Sequence, residues 1–225
     1  MLPLLLQSKN VMYYMQKGGW VMWPLAALLF LGVLIIAERF WTIHRARIKT
    51  NEFMHLVRSQ VLEGKDGEAV EACDQYEGSV SRVVKVALLR RQQGMNREEL
   101  EKVTENAAIK EIAHLERGLW LLAMISNVAP ILGFLGTVVG MIQSFEVLAR
   151  EGMNNPGAVA SGISVALITT AGGLIVAVIV LPFYNWFTAR IAAFTAEIET
   201  AANFLLETIE EAEELGPGRK AKATA

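Results

Sequence analysis

The sequence predicts an all-α integral membrane protein with three transmembrane helices, two of them very long and extending into the cytoplasm. The chain has 225 residues, of which 53% are hydrophobic, and its mean hydropathy is +0.35. The apolar residues are concentrated in three blocks that contain no Asp, Glu, Lys or Arg: Trp20–Ala37, Leu119–Phe145 and Gly152–Ala189. A helix needs roughly 20 apolar residues to cross the hydrocarbon core, so each block predicts one span.

The first span is predicted at residues 20–37, after an N-terminal interfacial or periplasmic segment at residues 1–19. That segment reads as a short amphipathic helix on the membrane surface, or as an unstructured N-terminus. Basic residues follow the span, and cytoplasmic flanks are rich in Lys and Arg, which predicts a periplasmic N-terminus and a cytoplasmic C-terminus. These basic residues are Arg39, Arg45, Arg47 and Lys49.

Residues 38–117 have the composition of a solvated helical segment and are predicted to be cytoplasmic. Asn96 followed by Glu99 is typical of a capping box at a helix start. No breaker is evident between that start and Phe145, so one unbroken helix is expected to enter the membrane. Pro130 is expected to kink it near Ser126, because proline removes a backbone hydrogen bond.

The second span is predicted at residues 118–145, a short periplasmic turn at 146–156 and the third span at 157–189. A cytoplasmic helix is predicted at 190–215, ending at a Gly-Pro-Gly sequence, followed by a disordered basic tail at 216–225. The cytoplasmic helix carries one apolar stripe, which consists of Ile191, Phe194, Ile198, Ala201, Leu205 and Ile209.

Both long spans carry a face of small and mildly polar residues with a threonine near the middle. One stripe contains Ser126, Pro130, Gly133, Thr137, Gly140 and Ser144; the other contains Gly162, Ala166, Thr170, Gly173 and Ala177. Small residues let membrane helices approach closely, and hydroxyls can hydrogen-bond across the contact. Two uses remain open: the stripes pack on each other within one subunit, or they line a pore in an oligomer.

An ion pathway through a membrane usually contains an ionisable residue, and neither long span has one. If the chain moves ions, the titratable group must come from a partner inserted into the pore. The hydroxyls of Thr137 and Thr170 could then hydrogen-bond the carboxylate of that partner or a water molecule.

Other classes of function are disfavoured by composition. A formal net charge of −2 provides no basic surplus for nucleic acid. One cysteine and three histidines, scattered along the chain, give no metal-ligand spacing, and no nucleotide-binding or nucleophile motif occurs. The expectation is a protein that is not an enzyme and has no cofactor.

Two segments resemble the MotA/TolQ/ExbB proton-channel family, in its ExbB/TolQ-like branch. They are VAPILGFLGTVVGMIQSF, and GISVALITTAGGLIVAVIVLPFYNWF beyond the NNPG turn. The ERF sequence at Glu38 and the LERGL sequence at Leu115 are similar too. The three spans, with the large cytoplasmic segment after the first, resemble the same branch.

The resemblance implies a homopentamer in the bacterial inner membrane around a single-span ExbD/TolR-like partner whose membrane aspartate carries the ion. That ion is expected to be H⁺, with Na⁺ as the alternative. The energy of the ion flow is expected to drive a TonB- or TolA-like protein. Lipid is the other expected partner. The expected pore-lining residues are Thr137, Thr170, Thr169, Ser126, Pro130, Gly133, Gly140, Ser144, Ala166 and Gly173.

One departure from the family pattern concerns Val165, because several relatives have glutamate at this position. A proton route through that carboxylate is not available here, so the expected pathway depends on hydroxyls, water and the partner. A non-conducting membrane scaffold and a motor subunit for another machine, such as gliding, remain the alternative functions.

Overall fold

The structure, a computed structural model, describes residues 11–46, 50–76 and 78–214. The predicted disordered tail at 216–225 and the first ten residues of the N-terminal segment lie outside this range. The described part is helical, as expected. Its helices are α1 (Val11–Lys17), α2 (Met22–Ala46), α3 (Thr50–Leu62), α4 (Asp66–Gln75), α5 (Ser79–Gln92), α6 (Arg97–Glu116), α7 (Leu119–Glu151) and α8 (Pro156–Glu214).

The chain divides into two compact units. The first unit takes its described residues from Met1–Glu38 and Gly118–Phe187, and the second from Arg39–Arg117 and Thr188–Ala225. Within the described residues, three helical stretches are long and apolar enough to cross a membrane. They include α2, α7 and the first part of α8, which are the segments that the sequence predicted as spans.

The expected unbroken helix from Asn96 to Phe145 is interrupted, which corrects the sequence prediction. Helix α6 ends at Glu116, and α7 starts at Leu119 after Gly118, whose φ is +85°. This left-handed conformation is open to glycine because it has no Cβ. The breaker is therefore the glycine of the LERGL sequence.

Arg39 stabilises the end of α6 just before this break. Its side chain is only 3% exposed, and its Nη1 donates to the carbonyl oxygens of His114 and Leu115, each at 3.3 Å. The last carbonyls of a helix lack intrahelical donors and carry the negative end of the helix dipole. The buried guanidinium of Arg39 supplies both a hydrogen-bond donor and a positive charge at this helix end.

Helix α7 continues past Phe145 to Glu151, so the predicted turn at 146–156 is shorter than expected. The sequence between these residues contains no breaker, and the helix ends where Gly152 adopts a φ of +61°. Helix α8 then begins at Pro156 and continues through Pro182 to Glu214. The predicted third span and C-terminal helix are thus parts of one helix.

In the second unit, α3 to α6 pack consecutively, each against the next. The predicted capping box is confirmed, because the Glu99 amide donates to Asn96 Oδ1 at 2.9 Å and the Asn96 amide to Glu99 Oε2 at 3.4 Å. The predicted apolar stripe of the last part of α8 is confirmed, since its six members are all buried. Ion pairs tie this part of α8 to α3 and α6, through Arg58–Glu211 and Arg97–Glu210.

Cys73 provides a check on the packing of the second unit. The thiol is buried, and burial, together with the neighbouring Asp74 carboxylate, raises its pKa to about 12. The thiolate is the reactive form, so Cys73 should react slowly with a maleimide from neutral pH up to about pH 10 in the folded protein and fast after denaturation. Labelling followed by mass spectrometry measures both rates. Equal rates would mean that α4 is not packed as described.

Candidate functional site

The two long apolar helices of the first unit, α7 and the first part of α8, meet along their small residues. A methyl group at Gly133 would lie 3.0 Å from the Thr169 carbonyl oxygen, and one at Gly140 would lie 2.6 Å from that of Gly162. Later positions on α7 thus meet earlier positions on α8, so the helices are antiparallel. Such close backbone approach is the use that small residues have in membrane helix packing.

Two hydroxyl residues complete this contact. The Ser144 hydroxyl is 3.1 Å from the Gly140 carbonyl oxygen and 3.0 Å from that of Val159 on α8, so it can donate to either. Thr169 is fully buried, and its side chain occupies the space directly over Gly136. Its Oγ1 lies 2.9 and 3.0 Å from two carbonyl oxygens of its own helix. Both side chains therefore act within the helix pair.

Seven of the ten predicted pore-lining residues are buried within this single chain. They are Ser126, Gly133, Gly140, Ser144, Ala166, Thr169 and Gly173. Apart from Ser126, whose hydroxyl donates to Ala123 of its own helix at 2.9 Å, these residues form the α7–α8 contact. Of the two uses that the sequence left open, packing within a subunit accounts for these contact residues. A pore-lining role for them stays a prediction.

The remaining three predicted residues, Pro130, Thr137 and Thr170, are half-buried. The contact is centred on Gly133, Gly136 and Thr169. On each helix the contact face is therefore rotated about the helix axis relative to the predicted stripe. Thr137 follows Gly136 by one position, and Thr170 follows Thr169 by one. Because the two helices are antiparallel, moving one residue forward along either helix turns the side chain toward the same side of the contact. The hydroxyls of Thr137 and Thr170 therefore lie on one edge of the contact.

Helix α2 covers the other edge. A methyl group at Gly32 would lie 3.0 Å from Val180 Cγ2 on α8 and 3.8 Å from Ile125 Cδ1 on α7. Ile125 and Val180 are both fully buried. The edge that carries Thr137 and Thr170 is thus the one that the described residues 11–46, 50–76 and 78–214 leave open, and we call it the hydroxyl edge.

The hydroxyl protons of both threonines are used within α7 and α8. Thr137 Oγ1 donates to the Phe134 carbonyl at 2.5 Å. Thr170 Oγ1 lies 3.2 Å from the Ala166 carbonyl and 3.4 Å from the Gly133 carbonyl across the contact. A hydroxyl has two acceptor lone pairs besides its proton. The hydroxyl edge therefore presents acceptors, which suit a protonated carboxyl group, water or a cation.

Sequence reasoning missed Gly136 as a centre of the contact. The signal was present, because Gly133, Gly136 and Gly140 are spaced three and four apart, as the residues of one helical face are. No group of three or more His, Cys, Asp or Glu side chains suited to a metal ion occurs among the residues that the structure describes.

A model of the MotA/TolQ/ExbB proton channel family matches residues 75–200 of the chain. The chain belongs to this family. The matched segment includes α5, α6, α7 and most of α8, and therefore both threonines of the hydroxyl edge.

Individual members of the MotA/TolQ/ExbB family are similar over most of the chain. An ExbB homologue from Methanothermobacter thermautotrophicus, named for biopolymer transport, is 36% identical over 81% of this chain and 64% of its own length. An ExbB-like protein of Synechocystis is 35% identical over 80% of this chain and 71% of its own. The biopolymer transport protein exbB1 of Vibrio cholerae is 32% identical over 72% of each chain.

The chain spans about two thirds of the length of the Methanothermobacter relative, 64%. Membership of this family and the three apolar helices support a multi-pass inner-membrane protein with an ExbB-like role. The names of the family and of its relatives point to a transport-associated protein rather than an enzyme.

Proposed function

We propose that this chain is the ring-forming subunit of an ion-driven inner-membrane motor. Several copies, expected to be five, would surround a single-span ExbD/TolR-like partner, with the hydroxyl edge of each copy facing inward. The observation that carries the proposal is the hydroxyl edge itself: two threonine acceptors lie on the open side of a helix pair that has no charged residue from Leu119 to Phe145 or from Pro156 to Ala189.

In this mechanism the partner supplies the titratable group, an aspartate in its membrane span. Thr137 and Thr170 accept hydrogen bonds from the protonated carboxyl group or from water beside it, which lowers the cost of holding a polar group in hydrocarbon. The apolar side chains that flank the edge keep other water away. The aspartate then gives up its proton where it meets a more hydrated region, and H⁺ is the ion that this scheme favours over Na⁺.

The proposed orientation has the N-terminus in the periplasm and the second unit in the cytoplasm. It rests on the basic residues that follow the first apolar block, including Arg39 and Arg45. The driven machine would be of the TonB or Tol type, in keeping with the transport names of the relatives. A motor that drives a different machine, such as one for gliding, would use the same hydroxyl edge.

The test replaces Thr170 with valine, which keeps the shape of the side chain and removes the hydroxyl. We expect proton flux through the complex with its partner in liposomes to fall about tenfold or more, the effect of one lost hydrogen bond to a charged or transferring group. Thr170→Ser restores a hydroxyl and should recover most of the flux. Undiminished flux in Thr170→Val and in the double variant with Thr137→Val would refute the proposed pathway.

A second function, a non-conducting membrane scaffold, is favoured by the burial of most stripe residues within the chain. In that case the small residues serve only packing, and the complex carries no flux. Activity of the driven machine in cells separates the two functions, because a scaffold keeps working after a protonophore collapses the gradient and a motor does not.

A further inference from the structure

The first unit has a concave surface between α1, α2 and α8, on the side of α8 that faces away from α7. It is a groove with a volume of about 570 Å³. The part of its lining that the structure describes is apolar, and among those described residues only Tyr14 has a polar side chain. The principal lining residues are Met15, Met22, Leu29, Leu167, Ile168 and Ile175. No step of the proposed motor uses this groove.

The groove has the length of one leaflet. It follows α8 from Leu167 to Val176, which at 1.5 Å per residue is roughly 14 Å. The hydrocarbon core is about 30 Å thick, so this length is close to half of it. Helix α2 runs parallel to α8 here, because Gly172 approaches Met22 while Gly32, further along α2, approaches Val180. The groove therefore runs along the membrane normal rather than across it.

One end of the groove has the features of a membrane surface. Tyr14 lines that end, and α1 closes with Lys17, whose ammonium lies 5.8 Å from the centre of the Tyr13 ring. Trp20 and Trp23 follow and are 63% and 64% exposed. Aromatic rings of this kind sit at the level of the lipid headgroups, and lysine next to them can contact a phosphate.

We propose that the groove holds one acyl chain of a phospholipid from the leaflet on the N-terminal side, with its phosphate near Lys17. The apolar lining of the groove offers water almost no hydrogen-bond partners, so water is not a favourable occupant. In a membrane the surrounding medium is acyl chain, and the groove is continuous with the headgroup level at its Tyr14 end. The occupant would bridge α1, α2 and α8 and so stabilise the packing of α2 on α8.

The test uses two neighbouring alanines of α2. Ala26 lines the groove, whereas Ala27 is exposed and does not. The full-length protein and its Ala26→Phe and Ala27→Phe variants would be washed in detergent and titrated with phosphatidylglycerol, and bound lipid counted by native mass spectrometry. We expect Ala26→Phe to weaken lipid binding about tenfold or more, because the ring fills the groove, and Ala27→Phe to leave it unchanged.

A second measurement keeps the inference testable if Ala26→Phe folds poorly. A photoreactive benzoylphenylalanine at Ala26 should form an adduct with phosphatidylglycerol in liposomes of that lipid, and one at Ala27 should form far less. Equal adducts at both positions would mean annular lipid only and would overturn the proposal. An adduct to a second copy of the chain, or to residues 1–10 of the same chain, would also overturn it. Because lipid binding is measured without ion flux, its failure leaves the proposed motor function untouched.

Discussion

Replacing Gly140 with valine is expected to prevent α7 and α8 from packing. A side chain at this position would meet the carbonyl oxygen of Gly162 at 2.6 Å and the amide nitrogen of Ala166 at 2.8 Å, and both are backbone atoms that cannot rotate away. The two helices must then separate, at a cost on the order of 3 kcal/mol or more. The expected result is a large loss of monodisperse protein after extraction into detergent, and a lower temperature of aggregation for what remains.

Gly157 offers a matched control for Gly140→Val. It is on α8 in the same unit and is exposed, and the one neighbour of a methyl group there would be Asn155 Oδ1 at 3.8 Å. Gly157→Val should therefore behave like the unchanged protein in both measurements. If Gly140→Val were extracted and melted as the control does, the described α7–α8 contact would be wrong.

Replacing Arg39 with methionine is expected to loosen the end of α6. Methionine has a similar length but no donors, so the carbonyls of His114 and Leu115 lose their buried partner. Removing a charged donor from its acceptors costs about 1.5–3 kcal/mol. Fraying of the last turn of α6 should make the exposed Arg117, which follows it, a faster site of tryptic cleavage. The measurement is the rate of cleavage after Arg117 in the detergent-solubilised protein.

Arg90→Met serves as the control for Arg39→Met, because Arg90 belongs to the same unit but is exposed and bonds to Gln93. Its cleavage rate after Arg117 should not change. Arg39→Lys keeps the charge but has a single ammonium group in place of the forked guanidinium. Its rate of cleavage after Arg117 should therefore lie between the rates of the unchanged protein and of Arg39→Met. A rate in Arg39→Met equal to that in Arg90→Met would show that Arg39 does not support the end of α6.

The apolar blocks and the stripe of the last part of α8 could be read from the sequence because they depend on periodicity and length alone. The break at Gly118 could not, because a glycine in a helical pattern is ambiguous until the backbone shows a positive φ. The extra turns of α7 up to Glu151 could not be predicted either, for a different reason. A sequence without a breaker is compatible with a helix end anywhere along it.

The small-residue faces that form the α7–α8 contact were predicted from the sequence, but their rotation about the helix axes was not, and the pore-lining role of their residues stays a prediction. The spacing of Gly133, Thr137 and Gly140 puts all three on one face, yet a face is wide enough to contain both a contact and its edge. Which residue is central depends on the partner helix, and Gly136 is central because the buried Thr169 side chain lies directly over it. That information is tertiary, and periodicity in one helix does not contain it.

Pro130, half-buried inside α7, has a consequence for the solvation of the hydroxyl edge. Proline has no N–H, so the carbonyl of Ser126, one turn earlier, lacks its usual helical donor. Inside a membrane such an oxygen is satisfied by a neighbouring hydroxyl, by a local adjustment of the helix or by a water molecule. Where water supplies the donor, the apolar wall contains one hydrated spot beside the hydroxyl edge. Removing that water would then weaken α7 itself, because the carbonyl of Ser126 would lose its hydrogen-bond partner.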